Sequence, residues 1–170
     1  MKIFKFEKQQ FVRRPIRDVY AFFAQPENLA VITPPWLGFR ILTSSPIVME
    51  QGTVIDYSIR VMGVRVRWQS LISEYEPLRA FTDEQLKGPY AFWHHTHTFT
   101  ESDGGTHLHD EIQYALPLGP IGKIAQKLIV RRQLEEIFNH RARVIEHIFS
   151  VQDTSRYSFT DFSYITPETK

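Results

Sequence analysis

The sequence predicts an α+β fold, a curved antiparallel sheet of seven strands covered by one long C-terminal helix. Three features predict it. Six strand-like stretches follow one another near residues 38–44, 53–61, 64–76, 79–86, 90–101 and 106–116, divided by turn formers at Gly52, Met62-Gly63, Pro77, Gly88-Pro89 and "SDGG". A helical apolar pattern then runs from Ile121 to about Phe149. Consecutive strands with short turns pair antiparallel, and a sheet with one apolar face needs a cover.

The elements can be justified in order. Residues 3–12 read as the first strand, with Ile3, Phe4, Phe6, Phe11 and Val12 interrupted by charges. Pro15 suits a first helical turn, and Ile16, Val19, Tyr20 and Phe23 follow at helical spacing. Pro26 interrupts that helix, and "ENLAVI" reads as a second short one ended by Pro34-Pro35. On the long helix Ile124, Leu128, Leu134, Phe138, Ile145 and Ile148 share one face, opposite Glu135, Glu136, Asn139, Arg143 and Glu146. Wrapping a curved sheet around that helix leaves a cavity between them. Residues 150–170, rich in Ser, Thr and aromatics, fit either a tail or an added edge segment.

Composition removes several function classes. The 170 residues include 20 Lys+Arg against 19 acids, a net charge of +1 that offers no nucleic-acid surface. Absence of cysteine rules out disulfides and thiolate metal sites. Neither a secretory apolar segment nor an apolar run of about 20 residues is present, so a cytoplasmic protein without an integral membrane segment is expected. Nothing resembles a nucleotide loop or a serine nucleophile elbow, and no cofactor is expected. Aromatic residues make up 14%, enough to build a thick core or to line a ligand pocket.

The stretch "AFWHHTHTF" carries three histidines within four positions. Strand alternation sends Trp93, His95, His97 and Phe99 to one side and His94, Thr96 and Thr98 to the other. A symmetric loop at "SDGG" sets Glu101 against Thr106, and hence Phe99 against Leu108, His97 against Asp110, His95 against Ile112 and Trp93 against Tyr114. Opposed residues have Cβ atoms about 4.5–5.5 Å apart, so His97 and Asp110 can pair. His94, His107 and His109 fall on the outward side.

The residue order is similar to that of the helix-grip (SRPBCC, or START-like) superfamily, closest to bacterial single-domain polyketide cyclase/dehydrase-like members. Four stretches carry the resemblance: "PENLAVITPPWLGF"; Phe81, Asp83, Gln85, Gly88 and Pro89; Trp93, His95, His97 and Phe99; and Asp110, Tyr114, Leu116, Pro117 and Gly119. It extends over residues 1–149, which it implies form one ligand-binding domain with a buried cavity. It does not imply one activity, because this fold hosts carriers, receptors and enzymes alike.

The expected ligand is a hydrophobic or amphipathic small molecule such as a lipid, isoprenoid or polyketide. Trp68, Trp93, Phe99 and Tyr114 would supply apolar contact, with His95, His97 and Asp110 orienting a carbonyl or hydroxyl. Tyr57, Phe81, Asp83 and Gln85 share the inward sides of their strands, although Asp83 and Gln85 equally suit a strand-end network near Gly88-Pro89. Arg131 and Arg141 break the apolar face of the long helix. Both suit a snorkelling role, and Arg131 is the candidate for meeting an acidic head group at the cavity mouth. Three readings of the histidine cluster remain open. In the first it is the polar spot of a binding protein. In the second it is an acid/base pair in a cyclase/dehydratase, with His97 as base and Asp110 as its orienter. In the third it is a metal set of His95, His97 and Asp110. A homodimer through a sheet edge or the aromatic tail is a further expectation.

Overall fold

The computed structural model describes residues 1–61, 63–117 and 129–150. The strands are β1 (Phe4–Val12), β2 (Arg40–Ile41), β3 (Val54–Val61), β4 (Val64–Glu76), β5 (Ala80–Lys87), β6 (Phe92–Ser102) and β7 (Gly105–Ala115). They form one antiparallel sheet in the order β1-β7-β6-β5-β4-β3-β2. Two short helices, α1 (Ile16–Phe23) and α2 (Leu29–Ile32), follow β1, with single 3₁₀ turns at Pro26–Asn28 and Pro35–Leu37. The long helix α3 spans Arg131–Ser150. The fold class is the one expected, and residues 121–128 of the anticipated helix, like residues 151–170, lie outside the described residues.

Strand β1 pairs with β7 at one edge, so the chain returns to its own beginning before entering α3. The β6–β7 pairing places His97 opposite Asp110 and Trp93 opposite Tyr114, as the symmetric loop requires. That loop is the two-residue turn Asp103-Gly104, and Gly104 takes φ +78°, where a side chain would be strained. Between β4 and β5 the register shifts at Gln69/Ser70 and again at Ile72/Glu74. Such bulges bend a strand and increase its twist, and here they curl the sheet.

Helix α3 lies inside that curl. Leu134, Phe138, Ile145, Ile148 and Phe149 are buried, while the Glu135, Glu136 and Glu146 side is exposed. Side chains of β1 and its following turn hold it in place: Gln10 Nε2 donates to the Ala142 carbonyl at 2.8 Å, and Arg14 Nε to the Phe149 carbonyl at 3.0 Å. Apolar packing divides into two main clusters. One gathers Val19, Tyr20 and Phe22 of α1 with Phe81, Phe99, Leu108, Ile145 and Ile148. The other joins Phe6, Ile112 and Tyr114 to Leu134 and Phe138. Between them lies the polar site. None of the described helices is long and apolar enough to cross a membrane.

Candidate functional site

Three adjacent strands build the site. Asp83 of β5 stands directly opposite His95 of β6, and Asp110 of β7 directly opposite His97. All four side chains turn to the same face of the sheet and line the cavity under α3. Asp110 Oδ1 lies 3.0 Å from His95 Nε2 and 2.8 Å from His97 Nδ1. Asp83 Oδ2 lies 3.3 Å from His95 Nδ1 and 3.4 Å from His97 Nε2. The two imidazoles, 3.8 Å apart, are therefore held between two carboxylates, with every ring nitrogen facing an oxygen.

Apolar groups hold the rings. His97 stacks on Phe81 at 4.2 Å, while His95 meets Phe138 of α3 edge-on at 5.7 Å and Trp93 at 6.2 Å. This polar square thus sits on the seam between the two clusters.

Electrostatics follow from the geometry. Burial alone would push the His97 imidazolium down, but pairing with Asp110 and Asp83 outweighs it and lifts the group to about 9. Burial likewise works to raise both carboxyls, and the paired imidazoles overcome it and hold Asp83 and Asp110 far below the usual carboxylate range. The sign for stability follows. His97, raised when folded, contributes fully below its unfolded value near ~6.5 and loses that contribution as pH rises through about 9. The carboxylates contribute above their unfolded value near ~3.9 and lose it as pH falls. Thermal melts should show the highest Tm between about pH 4 and 6.5, with an alkaline decline of up to about 3 kcal/mol around pH 9 that His97→Gln flattens.

The cavity has a volume of about 190 Å³. An enclosed apolar space of about 150 Å³ already takes a benzene, so at least one ring-sized group fits. The wall that continues from the polar square through Trp93 is aromatic. Tyr57 stacks on Trp68 at 5.8 Å and 15°, and Trp93 meets Trp68 edge-on at 5.2 Å. Ser70 satisfies both polar handles there: Trp68 Nε1 donates to its Oγ at 3.1 Å, and the Tyr57 hydroxyl lies 3.3 Å from it.

Of the residues singled out from the sequence, Tyr57, Trp68, Phe81, Asp83, Trp93, His95, His97 and Asp110 line the cavity. Four do not. Phe99 packs with Tyr20 and Phe81 in the first cluster, and Tyr114 is buried in the second. Gln85 closes the strand end, donating to the Tyr90 carbonyl at 2.8 Å and accepting from the Tyr90 amide at 3.2 Å. A side chain at Gly88 would collide with that Gln85 amide. Arg131 requires correction: it is exposed and pairs with Glu135 one turn on at 3.1 Å. The helix arginine in the cavity is Arg141. Of the outward histidines, His94 pairs with Glu84 and His109 with Glu7, each at the half-exposed surface, and His107 is exposed.

Beside the His95, His97 and Asp110 set, the structure offers Asp83 as a second carboxylate. One nitrogen from each of His95 and His97 and one Asp83 oxygen lie within 4.8 Å of one another. A cation would be held by Asp83, with Asp110 behind the far nitrogens, where it would fix the orientation of both rings.

Residues 12–138 match the family model described as polyketide cyclase / dehydrase and lipid transport. No curated protein matches the sequence. Among solved structures, the ZhuI aromatase/cyclase from Streptomyces sp. R1128 is similar at a TM-score of 0.70 and 17% identity, over 88% of this chain and 94% of that one. A START superfamily protein from Mycobacterium smegmatis follows at 0.62 and 12%, over 86% and 97%. The major latex-like protein 151 of Panax ginseng reaches 0.59 and 11%, over 85% and 96%. These identities speak for the fold alone. With three quarters of its length matched by the family model, the chain belongs to the polyketide cyclase/dehydrase and lipid transport family of helix-grip proteins.

Proposed function

We propose that the protein is a cytoplasmic carrier or receptor for a hydrophobic or amphipathic small molecule such as a lipid, isoprenoid or polyketide. The apolar body of the ligand lies against Tyr57, Trp68 and Trp93, and its oxygen-bearing end faces His95, His97, Asp83 and Asp110. The helix-grip domain of residues 1–149 forms the binding unit.

One observation carries the choice of carrier over enzyme: both nitrogens of His97 face carboxylates. A general base needs a free lone pair within reach of the substrate proton and a pKa near the working pH. His97, lifted to about 9 and held from both sides, has neither at neutral pH. The cyclase/dehydratase reading, with His97 as base and Asp110 as its orienter, is supported by the family description and by the similarity to an aromatase/cyclase.

His97→Gln separates the two. A carrier keeps its ligand affinity to within about 5-fold, roughly the 1 kcal/mol of one neutral hydrogen bond. An enzyme that relies on His97 still binds but loses turnover by about 100-fold or more. Binding followed by tryptophan fluorescence, with product analysis on the same samples, reads both quantities. A loss of turnover with binding intact contradicts the carrier reading.

A further inference from the structure

Arg141 is a cavity cation to which the described residues supply no counter-ion. It sits three residues after Phe138 and four before Ile145, on the buried stripe of α3, and it lines the cavity with them. Its Nε is enclosed and has no hydrogen-bond partner among the described residues. The guanidinium carbon stands 5.0 Å over the Phe138 ring, a cation–π contact. The acidic side chains nearest in kind, Asp83 and Asp110, are each already engaged by two imidazoles.

A guanidinium whose Nε is enclosed without a partner among the described residues needs an acceptor, and its planar fork matches a carboxylate through two parallel N–H···O bonds. The surrounding charges limit the choice of anion. Burial pushes the Arg141 guanidinium below its ordinary value, and the nearby Asp110 and Asp83 carboxylates oppose that only in part, while His97 offsets one of them. A single negative charge is tolerated beside that arrangement; a doubly charged phosphate would meet two carboxylates across the same small space. The aromatic wall of Tyr57, Trp68 and Trp93 lines the same cavity and suits an unsaturated or ring-bearing body.

We propose that the cavity selects amphipathic monocarboxylic acids, with the carboxylate gripped by Arg141 and the apolar body laid on the Trp68–Trp93 wall. This rests on the ligand-binding reading above and names the chemical class of its ligand.

The test compares 2-naphthoate with 2-naphthamide, which has the same shape and no charge, by isothermal titration of the wild-type protein and of Arg141→Met. Methionine keeps much of the apolar stem and removes the fork. The expected result is a preference for the acid of about 10-fold or more in the wild type, falling to within about 2-fold in Arg141→Met with the amide affinity unchanged. Equal binding of acid and amide by the wild type overturns the assignment, as does a preference that survives in Arg141→Met. Binding of neither compound, nor of decanoate or decanamide, overturns the cavity reading beneath it. A readout on the wild type alone guards against a variant that does not fold: the acid, and not the amide, shifts the Arg141 Nε–H resonance. No such shift contradicts the proposal.

Discussion

Asp110→Ala is expected to destabilise the protein by about 3–5 kcal/mol, the usual cost of removing one partner from a buried charge pair. Asp110 faces a nitrogen of each imidazole, and its loss leaves His95 Nε2 and His97 Nδ1 without an acceptor in an enclosed space. Asp110→Asn keeps one acceptor oxygen and should cost only about 1–3 kcal/mol. Replacing Asp83, His95, His97 and Asp110 together by leucine should be far milder than Asp110→Ala, because an apolar set buries no unpaired charge. Urea denaturation of the three variants checks this order. A quadruple variant less stable than Asp110→Ala would mean that the square is a structural staple and not a functional feature held at some cost to stability.

Ala142→Trp is expected to abolish ligand uptake while leaving the protein folded. Ala142 lines the cavity from α3, one turn from Phe138 and beside Arg141. An indole there occupies most of a space of about 190 Å³ and presses toward the aromatic wall. Overpacking of this kind typically costs about 1–3 kcal/mol, whereas loss of the cavity should weaken binding by about 100-fold or more. Titration with 2-naphthoate, together with a thermal melt, reads both effects. Unchanged affinity in the folded variant would place the binding site elsewhere on the protein.

Much of this site is legible in the sequence, and the reasons are local. The β6–β7 register follows from Asp103-Gly104, because a two-residue turn allows only one pairing of the flanking alternation. That fixes His97 against Asp110 and Trp93 against Tyr114. Asp83 is harder to place, because the connection from Glu84 to His94 passes through Gly88-Pro89 and carries no turn of defined length. Its parity says only that it shares a face with Phe81; that it closes the square from the far side depends on the β5–β6 register and on the neighbouring bulges of β4. Gln85 shares that parity, yet the strand end turns it back on Tyr90.

The two helix arginines differ in one local feature of the sequence. Arg131 has Glu135 at i+4, a partner that draws it along the outer surface. Arg141 has Ile137 and Ile145 four residues to either side, so no acidic neighbour on its own helix competes for it. The acids at i+4, more than the apolar stripe, separate the two.

The most direct measurement of the central claim is native mass spectrometry of the untagged protein purified from its own host, before and after incubation with a total organic extract of that host. A cavity that holds an amphipathic small molecule predicts an adduct that departs on denaturation and is absent from Ala142→Trp. A bare polypeptide mass both before and after exposure to the extract would contradict it. A mass excess that a chelator removes would point instead to a cation held by Asp83, His95 and His97.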